Sequence, residues 1–117
     1  MKRDKLITIG IIILILVIAA GIIYWKNNPP SQTTDDLAKC IGQNSLLYVQ
    51  TGCSHCADQE ALFGDSVKYL NMIDCINPEN QQKCIDAGIQ GTPTWIINNQ
   101  SYIGVQTIAK LKELTGC

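Results

Sequence analysis

Apolar and polar positions divide this chain into three stretches. Residues 6–25 carry no charge, and Thr8 is their one conventional polar side chain. A helix of that length spans roughly 30 Å, about the hydrocarbon thickness of a bilayer, and it has no polar face to turn toward water. Residues 26–34 are polar apart from Pro29-Pro30 and read as an extended linker. From residue 35 onward the pattern changes to that of a folded domain. Asp35-Asp36 opens a short helix over 37–41 with Gly42 as its stop. The continuous apolar run 46–50 predicts a central buried strand.

Further along, a helix is expected from Cys53 to about residue 68, burying a stripe of Ala57, Ala61, Leu62 and Val67. A second strand follows around 69–74, then a short helix from Asn77-Pro78 to near Ala87, capped by Gly88. Strands at 94–97 and 101–103 flank Asn98-Asn99-Gln100 as a hairpin, Gly104 breaks the pattern, and 107–114 closes the domain as a helix. Strands alternating with helices, followed by an antiparallel pair, predict an α/β fold with a mixed central sheet and flanking helices.

Charge gives the apolar helix a direction. Lys2, Arg3 and Lys5 precede it and Tyr24-Trp25 closes it, so the positive-inside rule puts residues 1–5 in the cytoplasm. The expected organisation is a cytoplasmic 1–5, a transmembrane signal-anchor 6–25, a linker 26–34 and an extracytoplasmic domain 35–117. A cleaved signal peptide is the rival, with Ala19, Ala20 and Gly21 as a candidate cleavage site, but the apolar run exceeds the usual signal core of ~7–15 residues. The linker would hold the domain within about 25 Å of a cell membrane. Residues 35–117 contain five lysines, no arginine and nine acidic residues, a net charge of 5 − 9 = −4. That balance argues against nucleic acid as a partner. All six cysteines lie in the same segment. An even count outside the cytoplasm favours oxidised pairs, which also suit a domain with a small core.

Cys53-Ser54-His55-Cys56 is the sharpest chemical feature. A Cys-x-x-Cys at a strand-to-helix junction puts its first sulfur at the helix N-terminus, where free N–H groups and the dipole favour a thiolate. A protonated His55 beside it would add to that effect, and a stabilised thiolate makes the disulfide a better oxidant. Two other readings stay open: an inert structural disulfide, or a metal site built from Cys53, His55, Cys56 and a further cysteine. Covalent haem would need histidine directly after Cys56, where Ala57 stands. The second feature is Gly91-Thr92-Pro93-Thr94-Trp95. Its residues alone imply an ordinary trans proline at the start of a strand.

Together these features resemble the thioredoxin family over residues 35–117. The resemblance implies a minimal thioredoxin-like fold, a cis Pro93 facing the cysteine pair, and a Thr92 backbone that docks extended substrate chains. The x-His-Cys ending is similar to that of bacterial periplasmic disulfide oxidases, although Ser54 stands where those have proline. Residues 51–64, 91–98 and 102–105 look like the thioredoxin-like partner domain of bacterial vitamin K epoxide reductase homologues. In that family a four-helix membrane enzyme, sometimes fused and sometimes separate, reoxidises the domain and passes electrons to a quinone. The resemblance thus implies protein thiols as substrates, a quinone-linked membrane partner and no cofactor beyond the redox-active disulfide. One departure concerns Leu47, which stands where many thioredoxins bury an aspartate that helps deprotonate the second cysteine.

For the other four cysteines the expected pairing is Cys75 with Cys84 and Cys40 with Cys117. Both pairs are expected to be structural, with a relay of electrons through Cys75–Cys84 as the alternative. The expected activity is that of a thiol-disulfide oxidoreductase with catalytic Cys53, Cys56 and His55, substrate-binding Thr92 and Pro93, and no metal. Its direction leans toward oxidation. A reductase or isomerase would use the same residues in reverse, and a metal-delivery module is the more distant rival.

Overall fold

The computed structural model describes residues 1–27 and 33–117, and the chain divides into two compact units, Met1–Ser31 and Gln32–Cys117. Most of the expected linker, residues 28–32, lies outside the described residues. The first unit is one helix, α1 (Lys2–Asn27), with no buried residue. Among the described residues it is the one helix long and apolar enough to cross a membrane. Thr8, its polar interruption, donates its hydroxyl to the Asp4 carbonyl at 2.8 Å, so the helix satisfies that group internally.

The second unit runs α2 (Asp35–Gln43), β1 (Leu46–Val49), α3 (Ser54–Ala61), a 3₁₀ helix (Gly64–Tyr69), β2 (Met72–Asp74), α4 (Pro78–Asp86), β3 (Thr94–Ile97), β4 (Gln100–Ile103) and α5 (Ile108–Thr115). Its four strands form one mixed sheet in the order β2-β1-β3-β4. β1 pairs parallel with β2 and antiparallel with β3, and β3 pairs antiparallel with β4. This is the mixed α/β arrangement the residue pattern predicts. Leu47, opposite Trp95 in the register, and Val49 and Ile97 face one core with Ala38, Ile41, Cys56, Phe63 and Leu111 from the helices. Burying the valine, leucine, isoleucine and phenylalanine side chains of this core contributes roughly 1.5–3 kcal/mol each.

Four local expectations change. Gly42 does not stop α2, which continues to Gln43 with Asn44 as its C-cap. Gly42 is there because the chain crosses close by: a Cβ would stand 2.1 Å from the Tyr69 carbonyl oxygen. Thr33 and Thr34, expected in the linker, belong to the folded unit. The Thr33 hydroxyl donates to the Leu62 carbonyl at 2.9 Å, and Thr34 caps α2 by accepting from the Leu37 N–H. The helix after Cys53 ends at Ala61 rather than near 68, and Gly64, at φ +54°, starts a 3₁₀ segment. Finally, Gln100 opens β4. The hairpin turns on Asn98 and Asn99 alone, at φ 51° and 62°, the positive values a two-residue turn requires.

The third change matters most for the site. Ala57, Ala61 and Leu62 are exposed, while Cys56, Gln59 and Phe63 turn inward at i, i+3 and i+7. A buried glutamine supplies the inward position that an apolar pattern would assign elsewhere. Gln59 is fully buried, with both ends of its amide hydrogen-bonded. Its oxygen accepts from Trp95 Nε1 at 2.9 Å and from the Gln106 N–H, and its nitrogen donates to the Gln106 carbonyl at 3.1 Å. That network ties the helix carrying the cysteines to β3 and to the segment before α5.

Candidate active site

Cys53 is the N-cap of α3, and its sulfur occupies the place usually taken by a serine or aspartate oxygen. The Cys56 N–H donates to Cys53 Sγ at 3.2 Å. This placement follows from the sequence: β1 ends at Val49, Gly52 turns at φ +86°, and the helix begins at Ser54. The Thr92–Pro93 peptide bond is cis, as the thioredoxin resemblance implies, and Pro93 is buried. Thr92 lies against the first cysteine. Its hydroxyl donates to Cys53 Sγ at 3.5 Å, and its carbonyl accepts from the Cys53 thiol at 3.6 Å. Cys53, Cys56, Thr92 and Pro93, distant in sequence, therefore meet at one place.

The two thiols differ electrostatically. Cys53 is held below the ordinary thiol value, first by its hydrogen bond with the Cys56 side chain and then by the Thr92 hydroxyl. Backbone N–H groups of Cys56 and His55 add to this. Cys56, 2% exposed, is pushed up, chiefly by burial and then by its bond with Cys53. The pair thus has an accessible sulfur that favours the thiolate and a buried one that favours the thiol.

The His55 side chain points outward from the pair. Its imidazole is 76% exposed and faces Asp58, with Nδ1 3.7 Å from Oδ2. The His55 backbone N–H is among the groups that favour the Cys53 thiolate. No group of three His, Cys, Asp or Glu side chains among the described residues is arranged to hold a metal ion.

The remaining cysteines are disulfide-bonded. Cys40–Cys117 spans 77 residues and Cys75–Cys84 spans 9, with Cα–Cα distances of 6.0 and 5.9 Å. Cys75 also extends the sheet, donating its N–H to the Val49 carbonyl at 2.9 Å. Cys53 and Cys56 are free thiols.

An open groove of about 530 Å³ runs beside the free pair, between the C-terminal ends of β1 and β2 and the starts of α3 and α4. Its walls include Thr51, Cys53, Cys56, Glu60 and Asp74. Asp74 braces the turn before Cys53. Its carboxylate accepts from the Thr51 hydroxyl, from the Thr51 N–H at 3.3 Å and from the Ile76 N–H at 3.0 Å. The Thr51 bond first, and then the Ile76 N–H, hold Asp74 below its usual carboxyl value.

Over 89 residues the chain is 40% identical to the thiol-disulfide oxidoreductase LTO1 of Arabidopsis thaliana. This chain is a relative of a thiol-disulfide oxidoreductase. The matched segment is 68% of this chain and 23% of the relative, so the chain spans under a quarter of that protein's length. No protein-family model matches the chain. The relationship is to an oxidoreductase enzyme, and the paired thiols at the helix start are the group with chemistry of that class.

Residue-type reasoning singled out Cys53, Cys56, Thr92 and Pro93, which the fold brings together, but not Gln59, Glu60, Thr51 and Asp74, which surround them. Spacing offered one usable signal for them. Gln59 and Glu60 follow Cys56 by three and four residues, which on a helix places them beside it. Asp74 left no such mark, because only the parallel pairing of β1 with β2 brings it to Thr51.

Proposed function

We propose that this chain is an extracytoplasmic, membrane-anchored thiol-disulfide oxidoreductase that oxidises protein thiols through Cys53 and Cys56. The carrying observation is Cys53 Sγ at the N-cap of α3, receiving the Cys56 N–H at 3.2 Å with Thr92 on its other side. In the oxidising direction a substrate thiolate attacks Cys53 of the Cys53–Cys56 disulfide. The Cys53–substrate bond forms, the Cys53–Cys56 bond breaks, and Cys56 leaves with the electron pair. A second substrate thiolate then attacks the substrate sulfur of the mixed disulfide, releasing oxidised substrate and the reduced pair. Thr92, beside the cis Pro93, is the proposed docking backbone for the substrate chain.

The direction rests on the depressed Cys53 thiol, since stabilising the reduced pair raises its potential. A potential well above the roughly −270 mV of thioredoxin is expected. A value at or below that figure would favour the reductase or isomerase reading. In the proposed organisation 6–25 is the span, 1–5 is cytoplasmic and the folded unit lies outside, with α1 and the basic residues before it in support.

A vitamin K epoxide reductase-like, quinone-linked membrane enzyme is the proposed electron acceptor. The resemblance in residues 51–64 and 91–98 supports it. Cys56→Ala in membranes is expected to trap reducible adducts through Cys53, with a multispan membrane protein among them. Absence of any reducible adduct would overturn the exchange chemistry, and adducts with soluble proteins alone would overturn the membrane partner.

A further inference from the structure

Disulfide exchange at a buried second cysteine needs somewhere for a proton to go. Cys56 must lose one to attack a mixed disulfide and regain one when it leaves. Leu47, fully buried in the core, supplies no carboxylate. The groove contains two acids, Asp74 and Glu60, in different states. Asp74 is occupied by Thr51 and Ile76, which hold its carboxylate in the ionised form and make it a poor proton acceptor. Glu60 is half-buried, and among the described residues its carboxylate has neither an ion pair nor a hydrogen bond.

Glu60 sits four residues after Cys56 on α3, a spacing that sets Cβ atoms roughly 5–6 Å apart on one helix face. Both line the same solvent-open groove, where water can bridge polar groups that do not touch directly. The other segments bordering it add no competing charge: Val49 ends β1 and Gln50 follows it, Asn77 caps α4 and Asn80 lies in its first turn. Cys53, Cys56, Glu60 and Asp74 are its titratable groups. The 3₁₀ helix packed on α3 carries Asp65 and Lys68, and neither lines the groove.

We propose that Glu60 is the proton carrier for Cys56, doing from the helix the task that a buried acid at position 47 would do from the strand. When the reduced pair resolves a mixed disulfide, the Cys56 proton passes to the Glu60 carboxylate. The Cys56 thiolate attacks Cys53 Sγ, the Cys53–Cys56 bond forms, and the substrate departs as a thiolate. In the oxidising direction the same proton returns from Glu60 to the Cys56 thiolate as it leaves. This inference rests on the exchange chemistry proposed above.

The test uses the full chain in detergent, reduced at Cys53 and Cys56, mixed with an aromatic disulfide whose released thiolate absorbs visible light. The first release reports attack by Cys53 and the second reports resolution by Cys56. Glu60→Gln, with an unchanged melting temperature, is expected to leave the first release at the wild-type rate. It should slow the second by about 100-fold at mildly acid pH, the low end of general acid–base contributions. The deficit should close at pH well above the ordinary thiol value, where Cys56 ionises without help. A second release as fast as wild type at acid pH, or a deficit independent of pH, overturns the role of Glu60. Loss of the first release in the wild-type chain would instead overturn the exchange chemistry itself.

Discussion

Two consecutive segments of this fold have the same topology and opposite chemistry. β1 leads through a turn into α3, and β2 leads through a turn into α4; each crossover carries two cysteines. In the first, Cys53 and Cys56 both sit at the helix start, and the Cys56 N–H serves the Cys53 sulfur. In the second, Cys75 is bound into the sheet through its backbone and Cys84 lies near the far end of α4, so the bond clips a turn and a helix together. The first pair faces Thr92 and an open groove. A cysteine pair is chemically poised when helix amides and a neighbouring loop converge on one sulfur, and a staple when the sulfurs serve only to join backbone.

The strongest way to break that comparison is to exchange the roles by mutation. Cys53→Ser is expected to abolish oxidation of a reduced, unfolded protein, while Cys75→Ser with Cys84→Ser retains most of it, measured as substrate thiol loss. Substantial activity without Cys53, or none without the second pair in a still-folded protein, would make Cys75–Cys84 the relay.

Stability should separate the two staples from each other. In the chain-entropy picture the 77-residue separation of Cys40 and Cys117 corresponds to roughly 4–5 kcal/mol, and the 9-residue separation of Cys75 and Cys84 to roughly 2–3 kcal/mol. Replacing each pair by serine and measuring urea unfolding should reproduce that order, and a reversed order would count against loop closure as the dominant effect.

The smallest expected effect concerns the proton on Cys53. Its thiol is depressed, so the thiolate persists below the ordinary value and alkylation should fall off only as pH drops through the lowered midpoint. Cys56, raised by burial, should react only at higher pH. Thr92→Val removes a hydrogen bond worth about 0.5–1.5 kcal/mol and should move the Cys53 midpoint up by ~0.4–1 pH unit. His55→Gln retains the backbone N–H and should move it less. A larger shift from His55→Gln would restore the imidazole to the role the sequence suggests.

Much of this architecture is legible in residue order. The charge-free run before Trp25, the apolar strand at 46–49, Asn77-Pro78 before α4 and the Asn-Asn turn all obey local rules, because each depends on neighbours within a few residues. The inward face of α3 does not. Ala57, Ala61 and Leu62 look like its core stripe, yet Cys56, Gln59 and Phe63 occupy that face. A buried glutamine is favourable only where Trp95 and Gln106 supply its partners, and those lie 36 and 47 residues away.

The same division holds at the site. Sequence by itself determined that two cysteines would stand at a strand-to-helix junction, because spacing and turn chemistry are local. Tertiary structure alone decided that Thr92, 39 residues on, would meet the first sulfur. It also decided that Asp74 would be consumed in bracing the turn before it, while Glu60 lines the groove, its carboxylate with no ion pair or hydrogen bond among the described residues. Those outcomes depend on which strands lie side by side, and strand pairing is settled by the packing of the whole domain.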